Sequence, residues 1–177
     1  PNPSVGVGHD CRFAGELFAE TTTKVLLANG IKVYLAKDFV STPMVSLGTV
    51  HYKTSLGIII TASHNPPSYN GYKLKGNYGG PLMPEQVQEV EDIIPQKANT
   101  NYEAVSLAEA EKSGMLIIAP LEDLYVKRVE ETFDLKAIKD SGIRFAYDSM
   151  YGAGQRVMKR LFPEIVHLHD DYNPSFM

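Results

Sequence analysis

Apolar and polar positions change period several times along this chain, and each change marks an element. Val5-Gly6-Val7-Gly8 is a short apolar run that ends in His9-Asp10-Cys11-Arg12, the pattern of a buried strand and its turn. From Glu16 to Asn29 the residues Leu17, Phe18, Thr21, Val25 and Ala28 fall near i, i+3/i+4 spacing, which predicts a helix with that stripe inward. Asn29-Gly30 is its stop, with glycine available for the left-handed cap. Ile31 to Leu35 reads as a second strand, completing a right-handed strand–helix–strand unit. Thr42-Pro43 reads as an N-cap followed by proline at the first helical position, opening a helix to His51 or Tyr52. Ser55 to Thr61 carries Ile58, Ile59 and Ile60 without alternation, which predicts a central strand buried on both faces.

The second half is more polar. Tyr72-Lys73-Leu74-Lys75 alternates with period two, so Lys73 and Lys75 share one face of a strand. Pro84 opens a helix with Val87, Val90, Ile93 and Ile94 on one face, and its acidic first turn suits the helix dipole. Pro95 to Asn101 reads as loop, Leu107 to Ser113 as a short helix stopped by Gly114, and Met115 to Ile118 as a strand. Residues 120–141, with Leu121, Leu124, Tyr125 and Val129 at helical spacing, predict a helix that bridges two domains. Arg144 to Asp148 reads as a strand, followed by the Gly152-Ala153-Gly154 turn, a helix to Phe162 and a strand over Ile165 to Leu168. A lone G-x-G is weak evidence for phosphate, and the turn reads as tight and ligand-free. The alternation predicts a three-layer α/β/α domain with a mostly parallel mixed sheet over residues 1–138 and the beginning of a second similar domain over 139–177.

Composition narrows the function classes. Hydrophobic residues make up 44%, enough for a core, and the net charge of −4 argues against a general nucleic-acid binder. Cys11 is the single cysteine and forms no internal disulfide, which fits a reducing, cytoplasmic setting. No apolar run approaches the length of a membrane span. The chain starts without methionine and almost directly in an apolar segment, the expectation for a piece of a longer polypeptide.

The candidate chemistry lies between Gly57 and Pro81. A buried strand there ends in a stiff polar loop, and ligands of open α/β sheets bind beyond such strand ends. Ser63 and His64 are adjacent, so in extended backbone they point to opposite sides, which disfavours a hydrolase-type couple. Ser63 reads better as a phosphate carrier, with His64 as a positioning or electrostatic group. Lys73 and Lys75 read either as a phosphate clamp and proton carrier or as guards of an exposed edge strand. Arg12 reads as a basic group at a strand end, or as a surface partner of Asp10 worth about 0–1 kcal/mol.

Thr61-Ala62-Ser63-His64-Asn65-Pro66 resembles the phosphoserine loop of the α-D-phosphohexomutases, the phosphoglucomutase/phosphomannomutase family. Tyr69-Asn70-Gly71-Tyr72-Lys73 resembles that family's N-G-aromatic-K run, Gly8 to Arg12 its G-x-D-x-R turn, and Thr42-Pro43 its T-P helix start. The likeness covers most of residues 4–94 and reaches weakly to Asp148–Gly154. It implies interconversion of hexose 1-phosphate and hexose 6-phosphate through phosphorylated Ser63 and a bisphosphate intermediate, with the hexose 1,6-bisphosphate as activator. It further implies Lys73 as general acid/base, Arg12 as holder of the loop or phosphate, and His64, Asn65 and Lys73 as substrate contacts. A Mg²⁺ ion would bridge a phosphate oxygen of Ser63 and an aspartate-rich D-G-D-G-D-R segment. That segment does not occur here, and Asp170-Asp171 lacks its alternation. The expected partners are a sugar phosphate and the remaining domains of a parent chain, and the chain alone is expected to be inactive. The alternative is a non-catalytic sugar-phosphate-binding or interaction module of the same fold.

Overall fold

In the computed structural model residues 3–95 and 100–177 are described, so most of the loop expected over residues 95–101 lies outside them. Strands β1 (Ser4–His9), β2 (Lys32–Ala36), β3 (Leu56–Ile60), β4 (Tyr72–Gly76) and β5 (Leu116–Ala119) form one sheet in the order β4-β3-β1-β2-β5. All neighbours run parallel except β3 and β4, which are antiparallel. The isoleucine-rich strand is therefore interior, as expected, but β1 rather than β3 holds the middle of the sheet.

Alternation along the pleat explains why the isoleucine run needs no polar positions. Ile58 and Ile60 join Val5, Val7, Val33 and Leu116 in one cluster, with Ala19 of helix α1 (Gly15–Ala28). Ile59 points the other way, into a cluster with Val40, Met44 and Val45. Helix α2 (Thr42–His51) covers that second face together with α5 (Leu121–Thr132). Short helices α3 (Pro84–Asp92) and α4 (Leu107–Lys112) lie between β4 and β5 in the chain.

Four sequence expectations are corrected. Helix α1 buries Gly15, Ala19 and Thr23, while Leu17 and Phe18 are 61% and 40% exposed. The cause is close approach: a Cβ at Gly15 would sit 2.9 Å from His9 Nδ1, so only the small-residue face fits against the β1 turn. The residue flanking α2 is Ser41, not Thr42, and it makes no side-chain cap bond. The apolar face of α3 is not buried: none of its residues is, and Ile93 and Ile94 just beyond it are exposed, because the helix follows the edge strand. The long helix expected over 120–141 breaks at Phe133, which is extended (φ −115°, ψ 140°). Asp134 then caps α6 (Leu135–Asp140), its carboxylate accepting from Ala137 N–H at 2.8 Å.

The remaining chain forms β6 (Ala146–Asp148), α7 (Gln155–Leu161) and β7 (Val166–Leu168), with β6 and β7 paired in parallel. This unit is fastened to the larger sheet. Val157, Leu161 and Phe162 enter the same apolar cluster as Ile59 and Met44. Arg156 adds ion pairs to Asp38 (2.5 Å) and Glu122 (2.6 Å), and its guanidinium lies 3.8 Å from the Phe39 ring centroid.

The spacing between α2 and the sheet is set at Gly57, where a Cβ would come within 2.2 Å of Thr49 Oγ1 and 3.1 Å of Lys75 Cβ. Gly57→Ala should therefore cost about 1–3 kcal/mol through overpacking. In a Thr49→Ala background the same substitution should cost less, and urea midpoints of the four chains check both statements. Equal midpoints for Gly57→Ala and the unsubstituted chain would contradict this packing.

Candidate active site

A cleft of about 620 Å³ opens at the carboxyl ends of β1 and β3. The chain leaves β1 toward β2 on one side and returns to β3 on the other, so the cleft sits where the winding of the sheet reverses, the usual ligand position in open α/β folds. Its walls are the Asp10–Arg12 turn, the Thr61–Pro67 loop, the start of α2 and the Ser149–Ala153 region after β6. The N-terminal end of α2 carries partial positive charge, which suits an anion.

Ser63 lines this cleft and is exposed. Its φ of 56° lies in the left-handed region, which is costly for a residue other than glycine and persists only where the surroundings impose it. Arg12 is the chief of these surroundings. It is 2% exposed, and its guanidinium donates to four carbonyls of the loop. Nη1 donates to Pro66 O (2.9 Å) and Tyr69 O (3.0 Å); Nη2 donates to Ser63 O (2.9 Å) and Asn65 O (2.7 Å). Arg12 Nε stands 3.6 Å from Asp10 Oδ2. Arg12 is thus a buried brace for the loop, not the surface partner of Asp10 that spacing alone allowed. The Phe176 ring, 5.1 Å from the guanidinium carbon, also lines the cleft.

Two further residues complete the turn and were not singled out from sequence. Asp10 Oδ1 accepts the Arg12 backbone N–H at 2.9 Å, and Asp10 Oδ2 accepts the Thr61 hydroxyl at 2.5 Å. Thr61 Oγ1 in turn accepts the Ser63 N–H at 3.1 Å. The only sequence signal was their place in the two motifs, because the pair is 51 residues apart in the chain.

The other candidates are placed as follows. His64 is exposed, with Nδ1 at 3.5 Å from Ser63 Oγ, the outer limit of a hydrogen bond. Asn65 is exposed and lines the cleft, while its backbone N–H donates to Ala62 O. Asn70 Nδ2 donates to Phe13 O, tying the loop's far end to the β1 turn, and a Cβ on Gly71 would meet Thr61 O at 2.7 Å. Lys73 pairs in register with Ile59, near the end of β3 from which the serine loop springs, and is exposed. It does not line the cleft itself. Lys75, two residues farther along β4, is 8% exposed, and burial followed by repulsion from Lys73 lowers its pKa. The two lysines share a face but not an environment.

The Gly152-Ala153 turn, expected to be ligand-free, also borders the cleft. Asp148 shapes it by accepting Met150 N–H at 2.8 Å and contacting His169 Nδ1 at 2.9 Å, and these bonds hold its carboxyl below the usual range. Cys11 is buried in the floor, where burial and then the Asp10 charge push its thiol up to about 12, so it is a poor nucleophile. Among the described residues no three His, Cys, Asp or Glu side chains converge as a metal site, and no helix is long and apolar enough to cross a membrane.

Residues 1–101 match the family model of phosphoglucomutase/phosphomannomutase, α/β/α domain I. A phosphoglucomutase of Staphylococcus haemolyticus is 30% identical over 184 residues, which cover 99% of this chain and 33% of that protein. A phosphoribomutase of Saccharomyces cerevisiae is 36% identical over 162 residues, covering 84% of this chain and 26% of that protein. The open form of the Paramecium phosphoglucomutase parafusin superposes with a TM-score of 0.81 at 19% identity, over 99% of this chain and 38% of that one, a likeness of fold. The chain spans about a third of the length of the curated Staphylococcus haemolyticus relative and of a probable phosphomannomutase of Haemophilus influenzae that it also matches.

Removing the brace should loosen the loop. Arg12→Ala leaves four carbonyls without their donor and should destabilise the chain by about 3–5 kcal/mol, the usual cost of deleting a buried charged partner. Arg12→Lys should recover little, because one ammonium cannot reproduce the planar fork. Thermal melts and limited proteolysis of the 63–70 segment check this; a lysine variant as stable as the unsubstituted chain would contradict it.

Proposed function

The chain belongs to the phosphoglucomutase/phosphomannomutase family, and on that premise we propose that Ser63 carries the phosphoryl group of a sugar-phosphate mutase. One observation carries the reading: an exposed serine is held in a left-handed conformation at a strand end, with its loop carbonyls locked by a buried arginine. Such rigidity suits phosphoryl transfer, where catalysis is mostly positioning and charge stabilisation.

In this reading phosphorylated Ser63 gives its phosphoryl group to the free hydroxyl of a hexose phosphate. The O–P bond to Ser63 breaks as the bond to the sugar oxygen forms, and the serine oxygen leaves. The bisphosphate turns round, and its other phosphoryl group returns to Ser63. Lys73 exchanges the hydroxyl proton, His64 and Asn65 contact the sugar or its phosphate, and the α2 terminus supplies positive potential. A Mg²⁺ ion, when bound, would neutralise developing charge. This chain would offer it a phosphate oxygen on Ser63, and the described residues supply no cluster of further ligands. Residues 1–138 act as the first domain and 139–177 as the opening of the second.

The experiment uses the full-length parent. Ser63→Ala should reduce mutase activity to background, since Thr61 is buried at the strand end and Ser68 lies beyond two prolines. Lys73→Ala should lower turnover by about 10²–10⁴-fold, the usual range of acid–base contributions. Lys75→Ala, assayed on folded protein, is the control and should cost much less. Equal losses at both lysines would reduce Lys73 to a share of a basic patch. Substantial activity in Ser63→Ala would end the phosphoserine reading. The 177-residue chain alone should fall far below ordinary turnover of about 1–10³ s⁻¹.

A further inference from the structure

We infer that Asp10 and Thr61 are positioning residues that set the attitude of Ser63 through a carboxylate–hydroxyl–amide relay. A threonine hydroxyl has one hydrogen and two lone pairs. Here the hydrogen goes to Asp10 Oδ2 at 2.5 Å, which turns a lone pair toward the Ser63 N–H at 3.1 Å. Without the carboxylate the hydroxyl is free to rotate and the amide loses an oriented acceptor. The relay acts on the residue that needs it, because Ser63 is left-handed with φ 56°.

Its anchor is firm. Asp10 N–H donates to Ile60 O at 3.0 Å, stitching the end of β1 to the end of β3. Thr61 is 4% exposed, and its own N–H donates to Gly71 O at 3.0 Å. Asp10 also accepts the Arg12 backbone N–H, so one carboxylate orients both the brace under the loop and the latch on Ser63. The two act on different atoms: Arg12 holds carbonyls, whereas Thr61 holds the amide of the serine itself.

The geometric part of this inference stands without any reaction; only its kinetic consequence rests on the phosphoserine reading. The test compares the unsubstituted chain with Thr61→Val, which keeps shape and loses the hydroxyl, and Thr61→Ser, which keeps the hydroxyl. Amide hydrogen exchange is the first readout. In Thr61→Val the Ser63 amide should exchange roughly tenfold faster, the weight of one lost hydrogen bond to a polarised acceptor. The residue-61 amide, which donates to Gly71 O, should keep its rate, and Thr61→Ser should keep both rates. Unchanged Ser63 exchange in Thr61→Val would overturn the inference. So would equal acceleration at residues 61 and 63, which is loop unfolding, or equal acceleration in both variants. In the full-length parent, Thr61→Val should lower kcat by roughly 10–100-fold at nearly constant KM, because small misplacement of a reacting group is costly. Thr61→Ser should restore it. A lost Ser63 bond with unchanged kcat would deny the relay its positioning role. No turnover even in the unsubstituted parent would instead end the mutase reading and leave the relay to stand on exchange.

Discussion

The grip of one buried guanidinium on four loop carbonyls is the constraint on which the site depends. The loop from Ser63 to Tyr69 contains two consecutive prolines, which have no N–H to donate, and its carbonyls turn inward. Buried carbonyls need donors, and Arg12 supplies four N–H bonds from a planar fork. A buried guanidinium also needs compensation. The Asp10 carboxylate 3.6 Å from Nε and the Phe176 face provide it. Serine display is thus the product of a polar core beneath the loop, not of the loop's own stiffness.

The fold brings these parts together through strand order. Because β3 returns to the side of β1 opposite β2, the Asp10 turn and the serine loop emerge side by side at a reversal of winding. Small residues keep the layers close, Gly15 against His9 and Gly71 against the Thr61 carbonyl at this end, and Gly57 under Thr49 near the start of β3. The β6–α7–β7 unit then closes another side of the cleft, held by shared apolar packing and by the Arg156 pairs to Asp38 and Glu122. Ser63, the positive end of α2 and the 149–153 loop of the second unit consequently face one cavity.

Much of this was legible in the sequence, for identifiable reasons. Unbroken apolar runs marked the doubly covered strands, and the Asn29-Gly30 stop marked a helix end that uses glycine at φ 72°. The inward face of α1 was hidden because Gly15, Ala19 and Thr23 carry little hydrophobic weight, while the large Leu17 and Phe18 stay outside. The break in the 120–141 segment had a signal that went unused, the capping aspartate Asp134 three residues before Ala137. Motif resemblance drew attention to Ser63 and Arg12 but not to the Asp10–Thr61 bond, which links segments 51 residues apart and exists only through the β1–β3 pairing. Lys73 and Lys75 looked equivalent by period; their different burial depends on how far each lies along the edge strand.

The claim that Ser63 is the phosphoryl carrier is tested most directly by site-resolved mass spectrometry of the full-length protein after brief incubation with a hexose 1,6-bisphosphate. The account predicts phosphate on Ser63, removed again when excess hexose monophosphate is added. An active protein with its phosphate on another residue, or with none that turns over, would contradict it.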